Sequence, residues 1–268
     1  MLRIADARTG RLVEIPDARR HLLRICVHLP VIDNGIGAVH LRVLLLGDVL
    51  ARTAELHGLQ TLTVLTAPDL PPEQVQSLDR VMAVMGIHPP ATVRTHEPSA
   101  TPNAAAEVHV LAHGTDQQDS SDGVRIDVGQ VGTTPPDEGG PVFPNATAQE
   151  GTDPLAVRML LLGHTYRTPV MVTGAALVEA RRTLRHWRQL VADWAQEPSR
   201  PIPADLLRQS HAALADDLGV PAVLDMLRSV ERDANVPAGA KFETFAHLDR
   251  VLGLDLAREV GHQRQVTP

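Results

Sequence analysis

The stretch from 22 to 66, LLRICVHLPVIDNGIGAVHLRVLLLGDVLARTAELHGLQTLTVLT, constrains the fold more than any other part of the 268-residue chain. The apolar run over 22–29 reads as a buried strand, and 33–39 as a glycine-bearing loop. A helix follows, with Leu41, Leu44, Leu45, Asp48 and Val49 at helical spacing and Gly58 placed to end it. Residues 61–66 make the next strand. A strand–loop–helix–strand unit of this kind opens a doubly wound parallel sheet, and the first loop of such a sheet is where a ligand sits. Asn34, Gly35 and Gly37 lie in that loop, and His40 and Arg42 stand at the start of the helix.

Either side of this unit the pattern is readable. Residues 1–20 predict a hairpin turning at Thr9-Gly10. A helix over 73–85 closes at Gly86, with Val75, Leu78, Val81, Met82 and Met85 on its apolar face. Residues 87–106 are proline-rich and aperiodic, while EVHVLAHGTD and GVRIDVGQVG each read as a strand. The glycines, prolines and acids of 132–153 predict a mobile loop. Beyond it the pattern is helical, starting with Asp153 as N-cap and Pro154 as first helical residue. Helices are expected over 155–164, 175–196, 204–218, 220–235 and 241–252. The boundary falls near 153, giving an α/β domain over 1–152 and an all-α helical bundle over 153–268.

Composition narrows the functions open to this architecture. A net charge of −7 argues against broad electrostatic capture of nucleic acid, and no DNA partner is expected. Of 25 basic residues only Lys241 is a lysine, so a lysine-dependent step has no other residue to use. The single Cys26 excludes an internal disulfide and fits a reducing compartment. The sequence shows no leader-like segment and no membrane-length apolar run, so a soluble cytoplasmic protein with no membrane partner is expected. No Phe, Tyr or Trp precedes Phe143, which leaves the first half without an aromatic platform for a base.

Six segments in order carry a family resemblance: LLRICVHLPV, GAVHLRVLLLGDVL, RVMAVMGIHPPATVRTHE, GTDPLAVRMLLLGHTYRTPV, DDLGVPAVLDMLRSVERDANVPAGAK and LDRVLGLDL. Through them the chain resembles the class I aminoacyl-tRNA synthetases of the cysteinyl type. The resemblance implies a Rossmann-like catalytic domain followed by a helical bundle. It also implies ATP-driven activation of cysteine and its transfer to tRNA or, in the mycothiol ligase branch, to an amino sugar. GAVH stands at the HIGH motif, which makes His40 the catalytic candidate. Gly35, Gly37 and His40, with Gly114 and Asp116 of the HGTD turn, become the nucleotide-binding candidates. His28 and Asn34 become the substrate-binding candidates.

The departures from the family pattern point the other way. Gly37 replaces the first histidine of the motif, and Val39 replaces the glycine that lets adenine approach the backbone. The KMSKS loop should lie between Val131 and Phe143, where the chain reads GTTPPDEGGP, with Asp137 and Glu138 but no lysine to stabilise pyrophosphate. His28 stands where the family's first zinc cysteine would be, and the downstream zinc ligands are absent. The family's long insertion is mostly missing between Glu97 and Glu107, and the sequence leads to the expectation of no anticodon-binding extension after the bundle.

Each polar group also has a plainer reading. Cys26 and His28 alternate on one strand and, with His40, offer the start of a metal site; a buried thiol and a loop-facing histidine explain them equally. No resident metal or cofactor is expected, ATP being the open ligand and zinc an unexpected one. The HGTD turn serves a ribose or is ordinary turn chemistry. His164, Tyr166 and Arg167 pack a domain junction or serve a substrate. Arg181, Arg182, Arg185 and Arg188 make a tRNA-facing stripe or a solvated face. Together these features predict a synthetase-like protein that no longer adenylates and acts as a binding or scaffolding partner. The alternative is a small ATP-dependent ligase passing an amino acid to an amine or tRNA. A homo-oligomer or a protein partner is expected to cover surface exposed where the insertion is lost, with tRNA or a small amino acid as the other ligands.

Overall fold

In the computed structural model, which describes residues 1–15, 22–32, 35–95, 108–115, 123–133 and 153–261, the chain opens on a hairpin. β1 (Arg3–Ala5) pairs antiparallel with β2 (Leu12–Glu14). β3 (Leu22–His28) then alternates, burying Leu23, Ile25 and Val27 while Arg24, Cys26 and His28 stay half-buried. The run expected to be buried throughout is therefore buried on one face, because polar residues interleave the aliphatic ones.

α1 (Ala38–Leu56) packs on that buried face. Helix and strand approach closely at Gly47, where a Cβ would come within 2.5 Å of Val27 Cγ2. Gly58 takes φ of 84° just past the helix, the left-handed turn that glycine permits. β4 (Gln60–Ala67) pairs parallel with β3, and α2 (Pro72–Val84) leads to β5 (Thr92–Thr95), which pairs parallel with β4. β5 is an edge strand inside the stretch read as aperiodic. Four residues after two prolines are too few to show a period, and pairing with β4 makes the strand.

β6 (Val108–Ala112) lies on the other side of β3, and β7 (Val124–Val128) pairs with β6. The result is a five-stranded, all-parallel α/β sheet of Rossmann-like form, in the order β5-β4-β3-β6-β7. The segment GVRIDVGQVG, expected as one strand, divides at Gly129 into β7 and β8 (Val131–Thr133). A Cβ on Gly129 would sit 2.6 Å from the carbonyl oxygens of Arg167 and Thr168, so a neighbouring turn occupies the side-chain position there. The loop expected over 132–153 lies, from 134 to 152, outside the described residues, as does most of the aperiodic stretch after 95.

α3 (Pro154–Leu162) begins as the sequence indicates, with the Asp153 carboxylate accepting from the Leu155 N–H at 3.0 Å and Pro154 in first position. β9 (Val170–Val172), not anticipated, pairs parallel with β8. α4 (Gly174–Trp194), α5 (Ala204–Ala215), α6 (Val220–Arg232) and α7 (Ala238–Leu252) follow. Trp187 and Trp194 of α4 both meet Phe245 of α7 edge to face, at centroid separations of 5.4 and 5.1 Å. No helix among the described residues is long and apolar enough to cross a membrane.

Three buried arginines join segments distant in sequence. Arg42 donates to the carbonyls of Gly129, Gln130, Thr165 and Thr168, and burial lowers its pKa to about 10, leaving it charged at neutral pH. Arg158 donates to the carbonyls of Met85, Gly86 and Leu252 and to the Asp48 carboxylate. Arg188 donates to the carbonyls of Leu254 and Asp255 and pairs with Asp153. Their guanidinium forks satisfy backbone oxygens that the chain would otherwise bury without partners.

Candidate functional site

Open parallel sheets hold ligands beyond the carboxyl ends of their strands, where the strand order reverses. Here the reversal falls between β3 and β6, because β4 and β5 extend the sheet to one side and β6 and β7 to the other. The candidates His28, Gly35, Gly37, His40 and Gly114 belong to the end of β3, its connection to α1, the first turn of α1 and the turn after β6. Asn34 and Asp116 lie outside the described residues.

The side chains that meet at this edge are Cys26, His28 and His109. Parallel register sets Cys26 beside His109, and the period of two along β3 puts His28 on the same face. His28 Nε2 lies 3.0 Å from His109 Nδ1, with the rings stacked at 24°. Cys26 Sγ lies 3.3 Å from Thr66 Oγ1 on the neighbouring strand. One ligating atom from each of the three residues falls within 4.8 Å of the others. Burial pushes the Cys26 thiol up, while the Thr66 hydroxyl and the Arg94 charge pull the other way. One sulfur and two imidazoles form a donor set suited to a borderline-soft divalent ion such as zinc. His40 is not part of this group. His109 was missed in the sequence because its proximity follows from β6 lying next to β3, which no local pattern reveals.

His40 has a different engagement. It is buried at the first turn of α1, where its Nδ1 accepts the Gly37 N–H at 2.9 Å and its Nε2 lies 3.3 Å from the Val31 carbonyl. A neutral imidazole protonated on Nε2 satisfies both contacts. Burial lowers its pKa, outweighing the backbone bonds that raise it. The ring thus caps the helix and ties down the preceding loop. To contact a phosphate it would have to give up one of these bonds.

The glycines of the site are conformational. Gly35 and Gly114 take φ of 95° and 83°, with open space where a Cβ would lie, whereas Gly37 is extended. The turn after β6 closes on itself: Thr115 donates to the Ala112 carbonyl through both its N–H, at 3.2 Å, and its hydroxyl, at 2.8 Å. Val39 packs against the core beside His40.

Two other groups singled out in the sequence are joined to different parts of the chain. Tyr166 Oη donates to Asp217 at 2.5 Å, and Arg167 pairs with the same carboxylate, which also accepts the Ala5 N–H at 2.9 Å. These bonds tie the hairpin, the turn before β9 and the link between α5 and α6; His164 is exposed, with its Nδ1 2.9 Å from the Leu160 carbonyl. The arginine stripe divides. Arg182 and Arg185 are exposed, whereas Arg188 is buried among carbonyls.

In sequence the chain is similar to curated cysteine ligases, the branch of class I synthetase-like proteins that its segments resemble. No family model matches the chain. Similar curated proteins carry the name L-cysteine:1D-myo-inositol 2-amino-2-deoxy-alpha-D-glucopyranoside ligase. That of Xylanimonas cellulosilytica is 36% identical over 116 residues, covering 43% of this chain and 27% of the relative. The Thermomonospora curvata protein is 30% identical over 164 residues, covering 58% and 34%, and the Nocardiopsis dassonvillei protein 28% over 173, covering 63% and 38%. The chain thus spans between about a quarter and two fifths of the length of these relatives.

Proposed function

We propose that this protein is a cysteine ligase relative that does not form an adenylate and works as a binding or scaffolding partner. The observation that carries this reading is the engagement of His40, the one histidine left at the HIGH position, by the Gly37 N–H and the Val31 carbonyl. Two further facts support it. Val39 occupies the place where close approach of a base needs glycine. The single lysine, Lys241, is committed within the helical half, donating to the Glu231 carbonyl at 2.8 Å and lying 5.5 Å from the centre of the Trp194 ring. On this reading residues 1–152 form a shortened class I-type domain and 153–268 a helical bundle, with a second copy or another protein as partner.

Calorimetric titration with ATP and amino-acid-dependent pyrophosphate exchange test it. Neither tight ATP binding nor exchange is expected, and either one sinks the reading. The second reading, a small ATP-dependent ligase joining cysteine to an amine, is favoured by the names of the similar proteins. Turnover of ATP that requires both cysteine and an amine would establish it. For the partner, light scattering is expected to give a mass above the monomer or a co-purifying protein, and a sharp monomer mass alone counts against it.

A further inference from the structure

We infer that His211 and His247 chelate one divalent transition metal ion of the nickel and copper class, clamping α5 to α7 in the helical half of the chain. His211 is on α5 and His247 on α7, 36 residues apart, and their Nε2 atoms approach to 2.9 Å with the rings parallel within 4°. Two nitrogen ligands at right angles on an ion, with bonds of about 2.0–2.1 Å, stand about 2.9 Å apart, whereas the tetrahedral angle sets them about 3.3 Å apart. The observed spacing is that of neighbouring positions in a tetragonal site, the geometry of nickel(II) and copper(II) with nitrogen and oxygen ligands. Both side chains are half-buried, so solvent reaches the pair and water fills the remaining positions.

The proton balance closes within the pair. One Nε2 carries the proton that the other accepts. When the ion takes that place, the proton moves to Nδ1 of the same ring, which has no protein partner among the described residues. Both rings remain neutral imidazoles, the form that binds metal, and each turns about its side-chain bonds to aim its lone pair at the ion. His57, at the end of α1, tilts against His211 with ring centres 5.5 Å apart, and its Nδ1 lies 2.8 Å from the Thr53 carbonyl. That bond holds the proton on Nδ1 and keeps His57 neutral beside the ion. The Arg250 charge acts on His247 and opposes a cation, so the site is an exchangeable clamp rather than a closed structural one. None of this depends on whether the protein adenylates an amino acid.

Nickel titration of the whole chain tests the inference. An ion that binds only the folded chain raises the urea midpoint as its concentration rises, and nickel(II) is expected to do so with wild-type protein. The first equivalent should bind without a thiolate-to-metal charge-transfer band. Spin-resonance spectra with copper(II) should show coupling to two imidazole nitrogens. His211→Gln and His247→Gln should each weaken the apparent nickel affinity by at least about tenfold, with circular dichroism confirming the fold. His164→Gln, at an exposed histidine off the site, should leave the response intact. A wild-type midpoint indifferent to nickel overturns the inference, and so does a response that survives both site changes. A thiolate band arriving with the first equivalent places the ion on Cys26 and overturns it without any variant.

Discussion

Arg158 Nη2 lies 2.7 Å from the Asp48 carboxylate, and both side chains are wholly buried. Asp48 belongs to α1 and Arg158 to α3, so the pair locks the two helices across the loop that follows α2. That loop is held as well: Asp48 accepts the His88 N–H at 3.0 Å, and Arg158 and Arg52 both donate to the Gly86 carbonyl. Removing one partner of a buried ion pair leaves an uncompensated charge, at roughly 3–5 kcal/mol. Asp48→Ala should therefore lower urea-unfolding stability by about that much. Arg52→Ala removes the less deeply buried partner of the same carboxylate while Arg158 still pairs with it, and should cost less, about 1.5–3 kcal/mol for a hydrogen bond to a charged group. Equal losses in the two variants would show that the Arg158 pair has no special weight.

How far such features were legible in the sequence depends on their range. The unit from β3 through β4, the Asp153 N-cap and the Gly86 turn follow from periodicity and local backbone chemistry, and the structure has all three. Asp48 could be placed on the packed face of α1 from spacing alone, but its partner is 110 residues away. The same holds for His109 against Cys26, and for β8 against β9. Short strands such as β5 and β9 have too few residues to show a period, and only their pairing defines them.

The single tyrosine can be followed directly. Burial, opposed by the nearby Arg167 charge, raises the Tyr166 pKa to about 12. Tyrosinate absorbance should therefore appear only near that pH in the folded protein, and near 10 once the chain is unfolded. Tyr166→Phe removes a hydrogen bond to a carboxylate and should cost about 1.5–3 kcal/mol. Asp217 is held at φ of 57°, a left-handed conformation costly for a residue other than glycine, so loss of its Tyr166 bond should loosen that turn. An ordinary titration near 10 in the native state would contradict the buried contact.

Acid should destabilise the fold through its paired histidines. His211 and His247 lie Nε2 to Nε2 at 2.9 Å with stacked rings, and His57 tilts against His211. Burial lowers both pKa values from 6.5, with His247 and His57 adding to the effect on His211 and Arg250 to that on His247. The unfolded chain then takes up protons at higher pH than the folded one. Stability is full above 6.5 and falls as pH drops through that value toward the lowered folded pKa. His40 contributes in the same direction. Urea midpoints should decline on acidification, and His211→Gln/His247→Gln should flatten the decline. A double variant with the wild-type slope would rule the pair out as its source.

The start of α1 separates a helix cap from a phosphate contact. His40→Ala removes the acceptor for the Gly37 N–H and should cost about 1 kcal/mol, with His40→Asn recovering part of it, as expected for capping. Val39→Gly restores the family's glycine but leaves Gly37 without an imidazole and His40 bonded to the backbone. It also removes a partly buried side chain packed on the core and should destabilise the protein by about 1–2 kcal/mol. Under the non-adenylating reading, this variant gains neither ATP binding nor pyrophosphate exchange. Calorimetry and the exchange assay on Val39→Gly decide the matter, with an unfolding curve to verify the fold. Exchange activity that appears on this single change would mean that the remaining catalytic parts are intact and that Val39 alone blocks the nucleotide.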